Sequence, residues 1–315
     1  MTLDLVTFGE VMGLLVAPPG EPLRQATTFH RSFAGAEATV AVGLARLGHR
    51  TGWFGRFGDD QFGHAGVDVL RGEGVDVSRV AHDPDAPTGL LVRDAHAVRR
   101  ISVQYHRAGS AASRMTADDI DADYLASARI LHVTGITPAL SPGCLDAVAE
   151  AMRVAREEGV VVSFDPNYRR RLWSTDEAAN VLRPLIDYVD LVFTGPDEAQ
   201  LLTGEHHPDV AARALIHRGA RLVVVKNGAQ GAWATDGERE WTAPALPAAV
   251  VDPVGAGDAF NAGFLSGWLR DEPVESSLRR GAACGALSVQ TLGDLAGLPY
   301  PDDLAAILDA SDVDR

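Results

Sequence analysis

The 315-residue chain is long enough for one large α/β domain or two ordinary ones, is 46% hydrophobic, and carries 43 acidic against 28 basic side chains for a formal charge of -15. That charge repels phosphate backbones and anionic leaflets, which excludes nucleic acid and membrane surfaces as partners. No apolar run approaches the roughly 20 residues that span a bilayer, and MTLDLVTFGE has neither a basic leader nor a small-residue cleavage site, so a soluble cytoplasmic protein is expected.

In chain order, LVTFGEV near Val6 reads as a first buried strand. Gly13 to Ala17 and Ala26 to Phe33 flank the turn APPGEP and read as two strands with no helix between them. Ala36 to Leu47 is a helix, with Val40, Leu44 and Leu47 at helical spacing and Gly48 as its stop. TGWFGRF near Phe54 is the next strand. Thr88 to Arg93 and Arg100 to Arg107 are again strand-like, around the polar loop DAHAVRR. ILHVTGI near Val133, VVVSFD near Val162, DLVF near Val192 and RLVVVK near Val224 are short apolar runs of the kind found in buried parallel strands. Ser141 and Pro142 open the helix running to about Glu158 as N-cap and first helical residue. Ala256 to Leu269 and Ser276 to Val289 are the last long helices.

The alternation predicts an α/β, Rossmann-like three-layer fold: one domain over residues 1–315 with a central, mostly parallel sheet flanked by helices. The four strands without intervening helices predict a small antiparallel lid, about 13–33 and 88–107, inserted within it as a cover or an oligomer contact.

The two cysteines, Cys144 and Cys284, match no metal-ligand spacing and read as reduced, buried thiols. The ten histidines are scattered, and even the pair His206-His207 lacks HExxH spacing, so they read as surface or core residues, not ligands. Lys226 is the only lysine and is followed by Asn227, which excludes a P-loop.

DPVGAGDAFNAGF, from Asp252 to Phe264, carries the chemistry. A helix N-terminus has unpaired N–H groups and a partial positive charge, and glycines at 255 and 257 let a ligand approach the backbone. Gly255, Ala256 and Gly257 can therefore form an anion hole beside Asp258. Asp258 fits two roles equally on this stretch alone: a helix cap, or a base taking a hydroxyl proton during phosphoryl transfer. A dinucleotide fingerprint would need glycine at 260, where the chain has Phe260.

The stretch resembles the C-terminal signature of the PfkB, or ribokinase-like, carbohydrate kinases. AGAEATVAVGLARLG (34–48) with GRFGDDQFG (55–63) is similar to that family's N-terminal signature, and VKNGAQGAW (225–233) resembles its nucleotide loop. Within the family, YHRAGSAAS (105–113), LHVTGITPALSP (131–142), DPNYRRRLW (165–173) and GDLAGLP (293–299) resemble the branch acting on 2-keto-3-deoxygluconate. The resemblance implies a ribokinase-like fold and an ATP-dependent sugar-acid kinase with Asp258 as catalytic base and Gly255, Ala256 and Gly257 as anion hole.

It further implies a sugar site of Gly35, Ala36 and Thr39, a lid contribution from Leu91, Tyr105 and Arg107, and Arg169 and Asp294 opposite. ATP is expected at Lys226, Asn227, Gly228, Ala229, Gln230 and Gly231, with Asn167, Gly195 and the 255–257 turn. Mg2+ is expected near Glu198 through water; a monovalent cation is compatible with the family, as is a homodimer or higher assembly. Two guanidinium groups suit a carboxylate better than a neutral sugar.

Three departures bear on the substrate. Thr39 stands where the family's GGxxxN signature has asparagine, with Ala34 for its first glycine. Leu91 occupies a lid position where the deoxygluconate branch commonly has tyrosine. DPNYRRRLW is shared in part with fructokinases. Two rivals follow: a kinase for a neutral sugar such as fructose or ribose, and a non-catalytic sugar or nucleotide sensor on the same fold.

Overall fold

The first strand, β1 (Leu3–Phe8), is buried along nearly its whole length, as a run apolar on both faces should be. The computed structural model describes residues 2–96 and 101–313, with side chains in the last helix as far as Asp309. After β1 the chain leaves the core to form β2 (Met12–Val16) and β3 (His30–Ala34), then returns through α1 (Ala36–Arg46). β4 (Thr51–Phe54) lies beside β1; β5 (Arg56–Gly58), α2 (Gln61–Gly72) and β6 (Ala81–Asp83) follow. β7 (Leu90–Arg93) and β8 (Val103–His106) complete the excursion. The rest alternates regularly: α3 (Ala122–Ala126), β9 (Ala128–Thr134), α4 (Pro142–Glu157), β10 (Val161–Asp165), α5 (Thr175–Leu185) and β11 (Leu191–Thr194). Then come α6 (Pro196–Thr203), α7 (Pro208–His217), β12 (Leu222–Lys226), the hairpin β13 (Ala232–Thr235) and β14 (Glu240–Ala243), and α8 (Ala256–Leu269), α9 (Val274–Ser288) and α10 (Pro301–Val313).

The main sheet has the order β14-β13-β12-β11-β10-β9-β1-β4, parallel from β4 to β12 and antiparallel at the closing hairpin. β1 leads to β4 on one side, while β9 returns to its other side, so the strand order reverses there. One face packs through Val6, Leu131 and Val162 onto α4, α5 and α7; the other packs through Leu5, Ile130 and Phe193 onto α1 and α8. α8 is buried almost all round. Among the described residues, no helix is long and apolar enough to cross a membrane.

The lid is a four-stranded sheet, β3-β2-β7-β8. Its outer pairs are antiparallel as expected, but β2 and β7 pair parallel, because the chain crosses through α1, β4 and α2 between them. Arg100, the expected start of its last strand, lies outside the described residues, as does part of the loop DAHAVRR. TGWFGRF is not one strand. It breaks at Gly55, where a Cβ would lie 2.5 Å from the Gly9 carbonyl oxygen, and β5 continues in a two-stranded sheet with β6.

The helix signals are sound where sequence chemistry is local. Ser141 Oγ accepts from the Cys144 N–H at 3.1 Å with Pro142 behind it, and Ser174 and Glu177 form a reciprocal capping box on α5.

Candidate active site

The parallel strands end on one side of the sheet, and residues there wall a cleft of about 720 Å³ at the point where strand order reverses. Glu10 just beyond β1, Asp165 ending β10 and Lys226 ending β12 form part of its floor; the lid covers it. Pairing of Leu91 with Tyr105 and of Arg93 with Val103 puts these four side chains on one face, toward the cleft.

The N-terminus of α8 opens into this space. Gly255 has φ +82, and a Cβ there would lie 3.4 Å from the Asp294 Cα, so both backbone conformation and packing call for glycine. Gly257 is exposed to the cleft, and its missing side chain leaves the first-turn amides open to an anion. Asp258, 6% exposed, sits in that first turn. The Asn167 side-chain amide donates to its Oδ1 at 2.9 Å. Burial, with Asp165 nearby, pushes the Asp258 carboxyl up to about 6; Arg169, Lys226 and the Asn167 amide oppose the rise.

Asp165 organises the floor. Its Oδ1 accepts from the Asn167 N–H at 3.0 Å, and its Oδ2 accepts from Lys226 Nζ at 2.5 Å and Asn261 Nδ2 at 2.7 Å. Asn167 is held at φ +42, a conformation asparagine tolerates better than most side chains. Burial would raise the Asp165 carboxyl, but the Lys226 ammonium outweighs it and holds it low. Burial likewise opposes the charge on Lys226, and Asp165 with Glu198 lifts it above the usual lysine range. Glu198 accepts from the Tyr168 and Gly195 N–H groups, each at 2.8 Å, yet burial, followed by Asp165, leaves its carboxyl raised.

Two more carboxyls face the same space. Burial pushes Asp294 up to about 7 against the pull of Arg93, and its Oδ1 has no hydrogen-bond partner among the described residues. Burial also pushes Glu37 up to about 7, although Thr134 and Thr137 donate to its Oε1 at 2.7 and 2.9 Å. The cations differ in availability. Arg107 pairs with buried Glu10, and Arg93 pairs with Asp252, both side chains being 1% exposed. Arg171 donates to the Val103 carbonyl on the lid. Arg169 is exposed and has no ion-pair partner among the described residues.

Of the residues expected in the site, Gly35, Ala36, Leu91, Tyr105, Arg107 and Arg169 line the cleft. So do Asn167, Glu198, Lys226, Gly255, Gly257, Asp258 and Asp294. Ala256 is the first residue of α8 behind them. Thr39 does not reach the wall: it is fully buried on α1, one turn before Gly43, which abuts Ala262 of α8. Asn227, Gly228, Ala229, Gln230 and Gly231 form a turn outside the cleft wall, its central residues exposed, closed by the Asn227 N–H donating to the Gly231 oxygen at 2.8 Å. Gly195 caps α6 beside the cleft. Sequence reasoning passed over Glu10, Glu37, Arg93, Asp165 and Asn261. Asp165 ends an apolar strand with a carboxylate and Glu10 follows one two residues on, a signal that could have found them; Arg93 and Asn261 are identified only by tertiary contacts.

The description "pfkB family carbohydrate kinase" matches residues 2–301. The chain is 43% identical over 314 residues to the 2-dehydro-3-deoxygluconokinase of Bacillus subtilis (strain 168), covering 98% of this chain and 97% of that one. Among solved structures, a PfkB protein from Polaromonas sp. JS666 superposes with a TM-score of 0.87 at 42% identity, covering 96% of this chain and 99% of that one. A putative ribokinase II from E. coli in complex with ATP and Mg2+ gives 0.91 at 25% identity, with 98% and 99% covered.

Proposed function

We propose, from the premise that this chain belongs to the pfkB family of carbohydrate kinases, that it transfers the γ-phosphoryl group of ATP to the primary hydroxyl of 2-keto-3-deoxygluconate. The observation that carries the reading is Asp258: a buried carboxyl near pKa 6, oriented by Asn167, in the first turn of a helix whose amides open into the same cleft. Asp258 takes the proton of the O6 hydroxyl, the O6–Pγ bond forms as the bond from Pγ to the β-phosphate oxygen breaks, and ADP leaves. The Gly255–Gly257 amides stabilise charge on the transferring group. Arg169 holds the sugar-acid carboxylate, Tyr105 and Leu91 cover the sugar, and Asp294 binds a sugar hydroxyl.

The cleft suits ATP at its phosphate end, where Gly257 leaves α8 uncovered and Lys226 lies beside it; a Cβ on Gly257 would be 3.5 Å from Nζ. The Asn227–Gly231 turn would then flank the nucleotide. Each Glu198 oxygen already accepts a backbone N–H, leaving its other lone pairs for water, which fits a water-mediated hold on Mg2+. Bound Mg2+ would neutralise phosphate charge. The outer lid strands, β3 and β8, have edges that a second copy could pair in a homodimer.

A second reading, a kinase for a neutral sugar, draws on one observation: Glu10 already neutralises Arg107, leaving Arg169 as the available guanidinium. Comparing kcat/KM for 2-keto-3-deoxygluconate, fructose and ribose separates them. Preference for the acid by two orders of magnitude or so supports the first reading; equal or greater turnover of fructose overturns it.

A further inference from the structure

The surface at the root of the lid holds a cluster that the phosphoryl-transfer reading leaves unused. Asp59 directly follows β5, His64 lies in the first turns of α2, and His82 is the central residue of β6, paired with Phe57. One ligand atom from each, a carboxylate oxygen and two ring nitrogens in all, lies within 4.8 Å of the others. His64 Nε2 is 3.1 Å from Asp59 Oδ1, and the two imidazole rings stand 5.0 Å apart. His82 turns Nδ1 toward the Gly58 carbonyl at 3.4 Å. A proton held there leaves Nε2 as the ligand atom, the arrangement by which an outer carbonyl fixes a metal-binding tautomer. All three residues are exposed, and none lines the catalytic cleft.

We propose that Asp59, His64 and His82 bind one transition-metal dication of the Zn2+ class, with water completing its coordination. Two imidazoles and one carboxylate suit Zn2+, Co2+ or Ni2+; Mg2+ and Ca2+ require oxygen ligands and would not compete. Ligand atoms around a tetrahedral ion with bonds of about 2.1 Å stand about 3.4 Å apart. Modest rotations of exposed side chains close the 4.8 Å cluster to that spacing.

The location gives the ion a structural consequence. Neighbouring Asp60 accepts from the Gly63 N–H that starts α2 and from the Thr88 N–H that leads into β7, each at 2.8 Å. The Gly58 N–H donates to Thr88 Oγ1 at 3.0 Å. An ion tying Asp59, His64 and His82 together therefore fastens β5, β6 and α2 around the anchor of a lid strand. Its effect is on stability, apart from phosphoryl transfer.

The test uses the full-length protein freed of metal with EDTA and titrated with ZnCl2 against a chromophoric chelator, with Co2+ absorption as a second probe. One Zn2+ per chain at micromolar affinity or better is expected, with a visible Co2+ band of tetrahedral or five-coordinate intensity and a raised Tm. His64→Ala and His82→Ala, both at exposed positions, should each weaken binding at least tenfold and abolish the Tm rise, while millimolar Mg2+ should displace nothing. No stoichiometric binding, or unchanged binding in the double variant with native circular dichroism, overturns the proposal.

Discussion

Arg93 at the end of lid strand β7 and Asp252 at the head of the DPVGAGD turn, 159 residues apart, form an ion pair with both side chains 1% exposed. The pair joins the lid to the turn that supports Asp258. Asp252 also accepts the N–H groups of Val254 at 3.2 Å and Gly293 at 2.9 Å, so one carboxylate fixes both approaches to the cleft.

Removing one member of such a pair leaves the other charge buried, at a cost of about 3–5 kcal/mol. Arg93→Met should lose that much stability in urea unfolding. Arg93→Met combined with Asp252→Asn should recover most of it, since no unpaired charge remains. Equal losses in the single and double variants would show that the charges are not coupled.

Asp258→Asn should lower kcat by about 100- to 10,000-fold with little change in substrate affinity, the range for loss of a general base. In the unaltered protein kcat/KM should fall as pH drops through about 6, where the Asp258 carboxyl gains its proton. The residual activity of the variant should lack that limb. Near-normal turnover in the variant would remove Asp258 from the mechanism.

Glu37 makes a prediction about stability instead. Its folded-state pKa, about 7, lies above the ordinary value of 4.5 because of burial. The folded state therefore holds the proton more tightly, and the associated stability is full below pH 4.5 and lost as pH rises through 7. Glu37→Gln keeps an acceptor for Thr134 and Thr137 while removing the charge. It should match the parent near pH 4 and exceed its stability by roughly 3 kcal/mol at pH 8. A pH-independent difference would place the effect in packing.

The two expected carboxylate-binding arginines should behave differently. Arg169→Ala should leave Tm almost unchanged, being exposed and without an ion pair among the described residues, yet raise KM for a sugar acid about 10- to 100-fold and leave KM for a neutral sugar unchanged. Arg107→Ala should unfold more easily, because Glu10 at 1% side-chain exposure loses its partner. Similar losses of stability in both variants would contradict this division.

The fold was legible where the signal was local. The apolar runs at Val133, Val162, Val192 and Val224 became β9 to β12, and Ser141-Pro142 opened its helix, because strand burial and capping are properties of neighbouring residues. The glycine turn into α8 was legible for the same reason: glycine spacing and the helix start lie within DPVGAGD. What escaped was tertiary. The pairing of Arg93 with Asp252, and the cluster of Asp59, His64 and His82, leave no mark in sequence and arise when separate strands and loops converge. Thr39 differs from the other expected sugar-site residues: it is fully buried on α1, one turn before the Gly43 that abuts Ala262 of α8, and is not among the residues that line the cleft.

The pairing of β7 with β8 sets Leu91, Arg93, Val103 and Tyr105 on one surface, with Arg107 continuing it. All five have odd numbers. Along these strands the inner and outer surfaces of the lid are therefore interleaved by parity: Val92, Gln104 and His106 belong to the outside. Inserting or deleting a single residue would exchange the two sets, presenting an imidazole and an amide to the cleft and a guanidinium to solvent. Single replacements at odd positions rewrite the roof without disturbing the register. If the cleft takes the sugar as proposed, variation in substrate preference has a natural address there, and variation in length does not.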